Sequence, residues 1–556
     1  MVTPSNKGEE SKEHYHAYPI ADSNVHSVDG TKPGALHATL EAGLLREDET
    51  LVYNSQDVKA LVGQYVVIGF LYGALPYVPL GVLNNYYELS GSEYNAPAAL
   101  ISLFGWSLKA FVGLLSDAVP IMGYRRKSYM LGGWVCCGVV LLALTCLHHG
   151  SPSNSSPARY YRNDTQTDPI FRSKGTRLGF LCALATFCYA FADVPADALV
   201  VEYAQSEPDE IRGRLQTIVY SVRSMATMVS TLVILSCLSS DRFRGDFSWD
   251  MGLNVWFAIL CAVTFIAANL TFLFVNETKR ELTPLSTYAT QCRTLLETRS
   301  MWQLMAFNFL FNLFANSLPS VAPGFVQMLS AETSSSDSAI STAIGCAAFA
   351  ATVAAVGKWG KAANWRVLLV ATTLILTGVD AMLQFLSIYD VVRSKFLFIV
   401  AAPLASEFPR AVQFILTMFT IVQIADQGNE GLVFGILTTC SNMASPIGTM
   451  LSNILGGVFH LDRSDIKTND FSTFNQFADT FCLHYAFVCV AVCFVGLYPT
   501  QKKMLQEWKA TNDSSKNIAV SVILAGFVLF IVAVVYSFLT MFKSTLCLRF
   551  VGGRGC

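Results

Sequence analysis

Apolar residues in this chain fall into long runs rather than into one-sided stripes. Such runs lie near residues 61–85, 96–116, 128–147, 178–202, 214–238 and 251–275, and again near 301–327, 338–358, 365–389, 395–424, 432–459 and 476–498. A further run covers 518–542. A helix needs about 20 mostly apolar residues to cross the hydrocarbon layer of a bilayer. The pattern therefore predicts an all-α membrane protein with twelve core spans and a probable thirteenth at the C-terminal end. Polar residues punctuate it at one place above all, Asn276 to Arg299, with six runs before and six after.

That spacing divides the chain into a polar tail (1–58), a six-helix half (59–275), a central loop (276–300), a second six-helix half (301–498) and an end (499–556) that holds a linker, the extra helix and a short tail. Two six-helix halves are the plan of transporters built from two parallel repeats, the major facilitator-type fold. A direct trace of the repeat is faint. Glu210 to Ser224 and Asn429 to Asn442 each carry an acid, a glycine, and then an apolar run that ends near a polar residue, Arg223 or Asn442. The first 58 residues hold no apolar run of signal-peptide length and are expected to be a disordered cytoplasmic tail.

Composition agrees with a lipid-facing surface. The 556 residues are 53% hydrophobic and 14% charged, with a mean hydropathy of +0.43. Soluble domains carry about 25% charged residues. The net charge of −2 gives no sign of a nucleic-acid partner. The 15 cysteines sit mostly within apolar runs, among them Cys136, Cys137, Cys182, Cys188, Cys489 and Cys493. They lack metal-ligand spacing and are expected to be small core residues, so neither a metal nor a cofactor is anticipated.

Lysine and arginine set the orientation. With the tail cytoplasmic, that side gathers Arg125–Lys127, Arg212, Arg214, Lys279 and Arg280, and later Lys502, Lys503, Lys509 and Lys516. The long loop after the third run falls outside and contains two glycosylation sequons, starting at Asn154 and Asn163. The acidic tail argues against an organelle transit peptide, and the plasma membrane is the expected site.

The turn between the second and third runs reads G-x-x-S-D-x(5)-G-x-R-R-K from Gly113 to Lys127. It resembles the loop motif of the major facilitator superfamily. The resemblance implies that Asp117 pairs with neighbouring helix ends. It also implies that Gly113, Gly123, Arg125 and Arg126 help hold the cytoplasmic face shut until the halves rock apart. A plain positive-inside turn is the simpler alternative. A longer set of matches is similar to the folate–biopterin transporter family. It comprises Trp106-Ser-Leu-Lys109 with the turn, ADVPADALVVEYAQ (Ala192 to Gln205), and QGNEGLVFG (Gln427 to Gly435). The chain departs from that family at Ala110, where proline is common, and at Leu432, where threonine is usual. The likeness runs from about residue 60 to about 500 and leaves the thirteenth run unexplained. It implies folates, reduced pterins or other small metabolites as cargo.

A charge at the centre of a membrane helix costs about 2.5–3.5 kcal/mol on the insertion scale. Lys109, Asp193, Asp197, Arg223, Asp380, Glu407 and Arg410 all fall within runs and should face the interior with partners. Glu407 and Arg410 are i, i+3 neighbours that can neutralise each other. Asp193 and Asp197 are i, i+4 on one face, with Pro195 between them. Two such carboxylates repel if both ionise, so one holds a proton unless Lys109 or Arg223 intervenes. That is the behaviour proton coupling needs, while a Lys109–Asp bridge of purely structural role is the alternative. A carboxylate can accept the paired N–H groups of a pterin, and an arginine can hold the carboxylates of a folate. Tyr189, Phe191, Tyr220, Phe307 and Phe311 are candidate stacking rings. Lys109, Asp193, Asp197, Arg223, Glu407 and Arg410 are thus the expected substrate and proton path. The expected function is secondary transport of a folate- or pterin-like solute by a monomer, coupled to protons, with no enzymatic chemistry. A carrier of another metabolite (a sugar or an amino-acid derivative) and a non-transporting receptor or scaffold are the other readings.

Overall fold

The computed structural model describes residues 53–555 except 54, 90–91, 104, 106–107, 151–168, 209–210, 244, 281–283, 319–334, 390, 393, 427, 460–470, 511–515, 543, 546 and 552–554. The expected disordered tail, both sequons and Trp106-Ser107 therefore lie outside the described residues. Within them the chain is helical, and ten helices are long and apolar enough to cross a membrane.

In chain order the first half comprises α1 (Gln56–Ala74), α2 (Ser92–Ser102), α3 (Lys109–Ala118), α4 (Lys127–Cys146), α5 (Pro169–Gln205), α6 (Arg214–Cys237) and α7 (Gly252–Phe274). A short α8 (Leu285–Glu297) lies in the central loop. Then follow α9 (Arg299–Asn312), α10 (Ser335–Trp359), α11 (Trp365–Ile388), α12 (Ala402–Ile424), α13 (Glu430–Phe459) and α14 (Phe471–Cys493). The chain closes with α15 (Lys502–Ala510) and α16 (Lys516–Leu539). Helix ends, π-helical extensions included, agree with the apolar runs to within a few residues except in three places, one being the seventh run, read to residue 327, whose described helical part ends at Ser317. The second run is divided between α2 and α3, and α5 begins well before its run.

Local chemistry explains several boundaries. Ser55 caps α1, its hydroxyl accepting from the Val58 N–H at 3.2 Å. Beyond α1 the helix widens into a π-helical stretch, Val78–Tyr86, which contains Pro79. A proline has no N–H to give the preceding turn, and a wider turn accommodates the loss. Similar stretches extend α9 (Leu313–Ser317) and precede α12 (Leu397–Ala401). Glu207 caps α6 from a distance. Its carboxylate accepts from the N–H groups of Gly213, Arg214 and Leu215 and from the Tyr53 hydroxyl. Burial nevertheless pushes the Glu207 carboxyl above its usual range.

Two helix pairs make the main joins between the halves, with smaller ones where α5 meets α12 and α13. α3 lies on α13, and α6 lies on α10. Both contacts are made by small residues. A Cβ on Gly113 would stand 2.1 Å from the Gly431 carbonyl oxygen, and one on Gly357 would stand 2.3 Å from Thr217. Within the first half, a Cβ on Gly69 of α1 would stand 2.2 Å from the Arg223 carbonyl oxygen of α6. Large apolar side chains point outward instead, such as Ile266, Phe272 and Leu273 on α7 and Leu524, Phe527 and Val528 on α16. Lipid is the medium that covers such surfaces. The cysteines divide likewise. Cys137 and Cys182 are buried, but Cys136, Cys489 and Cys493 face outward, so the expected core role fails for these three. A helix exposed to lipid accepts a small apolar side chain as readily as a core does.

Candidate functional site

The bundle is sealed at one end and hollow at the other. At the sealed end, the N–H of Leu432, in the first turn of α13, donates to the Asp117 carboxylate at 2.7 Å. Arg126 bridges Asp117 at 2.5 Å and Glu430 at 3.1 Å. Arg125 donates to the Gly428 carbonyl at 3.2 Å and stands 3.9 Å from Glu430. Two acids and two arginines thus balance across the seam between the halves, all of them buried. Gly431 is required by this packing: a Cβ there would meet Asp117 Oδ1 at 2.9 Å and Arg126 at 3.0 Å. Gly123 makes the turn with a φ of +87°, a conformation that disfavours other residues. Glu277 locks the start of α4 by accepting from the N–H groups of Arg125, Arg126 and Lys127.

Above this seal lies the buried acid pair. Pro195 sits within α5 between Asp193 and Asp197 without ending the helix, so both carboxylates reach the same side. Lys109 Nζ lies 2.6 Å from Asp193 and 3.5 Å from Asp197. Asp197 also accepts from the hydroxyls of Tyr65 at 2.5 Å and Tyr220 at 3.1 Å. Arg223 does not join the acids. Its guanidinium packs over the rings of Tyr72, Tyr220 and Phe414 at 4.8–5.2 Å. Tyr220 therefore touches both the acid pair and the arginine.

At the other end a cavity of about 960 Å³ opens between the halves. The π-helical extensions of α1, α9 and α12 border it through Leu80, Ala315 and the adjoining Ala402. Its charged lining comes from the second half: Asp380, Glu407 and Arg410.

The family model described as Major Facilitator Superfamily matches residues 60–449. The chain belongs to the major facilitator superfamily. This facilitator is therefore a membrane transporter by family, and its likeness to solved structures shows the same fold. A proton:xylose symporter, XylE, bound to 6-bromo-6-deoxy-D-glucose is 16% identical, with a TM-score of 0.50 over 83% of this chain and 100% of that one. The human organic anion transporter MFSD10 is 14% identical, with a TM-score of 0.50 over 78% and 99%. A Folate-biopterin transporter from Synechocystis sp. is 30% identical over 142 residues, which is 24% of this chain. The match spans about a quarter of that relative's length.

The facilitator gathers its expected site residues into three groups rather than one. Gly113, Asp117, Gly123, Arg125 and Arg126 make the seal. Lys109, Asp193 and Asp197 make a buried cluster absent from the cavity lining. Glu407 and Arg410 line the cavity and pair with each other at 2.6 Å. Of the candidate stacking rings, Phe311 lines the cavity, while Tyr189, Tyr220 and Phe307 are buried outside it. Tyr72, Tyr77, Phe481 and Tyr485 line it instead. Sequence reasoning also passed over Tyr65, Glu277, Gln384 and His484. Glu430 was passed over as the partner of Arg126, although it stood within the quoted Gln427 to Gly435 match.

Proposed function

We propose that this facilitator is a secondary transporter of a folate- or pterin-like solute, working by alternating access with proton coupling. The observation that carries the mechanism is the pairing of an open cavity with a seal built from both halves. Such a state admits solute from one side only. With the tail cytoplasmic, the seal is the cytoplasmic gate and the cavity faces outward. Breaking the Arg126 bridges to Asp117 and Glu430 then lets α3 and α13 part, and the cavity opens to the other side.

Proton coupling is supported by the Lys109 cluster, where two carboxylates share one lysine. Two buried carboxylates on one helical face repel each other when both are ionised, and a proton on one of them relieves that repulsion. The cluster lies on α3 and α5, beside the α3–α13 seam that must open. Protonation and gating are thereby coupled through one helix. The folate or pterin class is supported by the Synechocystis relative, within the stretch it shares with this chain. The protein acts as a monomer in the plasma membrane in this reading.

The test is uptake of labelled folate, biopterin, a sugar and an amino acid into cells expressing the chain, at inward and at zero proton gradients. Saturable uptake of folate or biopterin that rises with the gradient is expected. Uptake confined to the sugar or the amino acid would replace the cargo assignment.

A further inference from the structure

The acid pair on α5 is the obvious place for a carboxylate to read the N–H edge of a solute, but Lys109 occupies it and it does not line the cavity. The cavity has a different carboxylate. Asp380, on α11, is half-buried in the cavity wall. Among the described residues it has no cation within 4.0 Å. It is held by neutral donors: the Gln384 amide at 3.3 Å on one oxygen and the Tyr485 hydroxyl at 2.9 Å on the other. Gln384 is only 6% exposed, and its amide oxygen has no partner although the residue lines the cavity. His484, also on the wall, uses Nδ1 to donate to the Leu318 carbonyl at 2.6 Å, so a neutral imidazole leaves Nε2 as an acceptor. Glu407 differs in having its charge met by Arg410 at 2.6 Å.

The wall made by α11 and α14 therefore presents three kinds of acceptor, the Asp380 carboxylate, the Gln384 amide oxygen and the His484 imidazole. A half-buried carboxylate with no cation beside it and a buried amide oxygen with no donor cost free energy, which a ligand that supplies hydrogens lowers. We propose that Asp380 and Gln384 form the specificity-determining subsite of the cavity, and that it takes a planar group with two adjacent N–H donors. An aminopyrimidinone edge, an amidine and a guanidine share that chemistry. A carboxylate accepts such a pair as a fork of two parallel hydrogen bonds. Tyr485 is a positioning residue that fixes the plane of the Asp380 carboxylate.

The opposite side of the cavity suits the remainder of such a ligand. Tyr72 and Thr227 line it, and Arg223 lies one helical turn from Thr227 with its guanidinium 5.2 Å from the Tyr72 ring centre. Among the described residues Arg223 has no carboxylate within 4.0 Å. A donor edge toward Asp380 leaves the remainder of the ligand facing the wall of Tyr72 and Thr227, behind which Arg223 lies. The choice of the aminopyrimidinone edge rests on the pterin reading above, whereas the donor-pair chemistry of the subsite does not.

The experiment is equilibrium binding to the full-length purified protein of biopterin and of its 2-oxo analogue, which lacks the adjacent amine. Wild type is expected to prefer biopterin by about tenfold or more, the scale of a charge-assisted hydrogen bond. Asp380→Asn should abolish the preference, Asp380→Glu should restore part of it, and Tyr485→Phe should weaken binding while keeping the preference. Retained preference in a folded Asp380→Asn protein overturns the subsite and leaves the pterin reading standing. If Asp380→Asn does not fold, Gln384→Leu takes its place, with a reduced preference expected and an unchanged one overturning the proposal. If wild type binds neither pterin, benzamidine is the probe. Capture of benzamidine that Asp380→Asn removes upholds the donor-pair subsite and overturns the pterin reading; its absence overturns the subsite.

Discussion

Asp193 and Asp197 are four residues apart and chemically identical, yet their surroundings differ. Asp193 depends on Lys109 at 2.6 Å, and its other oxygen is buried without a hydrogen-bond partner. Asp197 is held mainly by two phenols. An asparagine at 197 keeps an oxygen for those phenols and leaves the Lys109–Asp193 bridge intact. Asp197→Asn should therefore lower gradient-driven uptake by about tenfold or more while exchange across equal pH persists. Asp193→Asn removes the closer partner of a buried lysine, a change on the scale of about 3–5 kcal/mol, and should impair both uptake and exchange. Lys109→Met leaves both acids without their cation and should displace the pH profile of uptake. Uptake against external pH, at matched surface expression, checks all three. Unaltered profiles would leave a structural salt bridge as the better account.

At the scale of helices, the crossing of α3 and α13 is the contact that the proposed alternation has to part. It combines two kinds of fit: backbones in touch at Gly113 and Gly431, and charges bridged by Arg126. They should fail differently. Gly113→Ala puts a methyl where a backbone carbonyl stands at 2.1 Å, and overpacking of that kind costs about 1–3 kcal/mol. It should disfavour the sealed state, so a cysteine placed at Leu432 becomes reactive to a thiol reagent from the cytoplasmic side. Asp117→Ala or Arg126→Ala leaves the backbones in contact but removes the latch. Turnover should fall several-fold while substrate affinity, set in the distant cavity, changes little. Transport kinetics separate the two parameters, and a collapse of affinity at unchanged turnover contradicts the gating role.

For the molecule as a whole, α16 is the element that the twelve-helix plan does not require. It is the most apolar of the candidate spans, and it turns most of its surface outward. Among its residues Ala519, Ala533 and Tyr536 are buried, and it packs on α13, α9 and α2. It therefore touches both halves beside the seam that must open. Lys502, Lys503, Lys509 and Lys516 precede it, and Cys547, which follows it, is disulfide-bonded. Basic residues favour the cytoplasmic side and disulfides the oxidising one. A tag at the C-terminus should accordingly be reached by antibody on unpermeabilised cells, and a tag at the N-terminus should not. Two hidden tags would show that α16 does not cross.

Most of the spans, the motif turn and the intramembrane charges were legible in the sequence, because each is set by a local cost, whereas the division of the second run into α2 and α3 was not. Twenty apolar residues match the thickness of a bilayer wherever they occur, and a charge among them is expensive before any fold is known. Lys109, Asp193 and Asp197 could thus be named as a group from hydropathy and helical spacing alone. The tertiary structure decided what these charges meet. It gave Lys109 to the acids and set Arg223 on aromatic rings, and it brought Glu430 and Glu277 to the motif turn across 304 and 151 residues of chain from Arg126. It also put Asp380, Gln384 and His484 around one cavity while closing the α5 acids away from it. Pairing and accessibility depend on how helices distant in sequence pack side by side, and hydropathy along a single chain does not encode that packing.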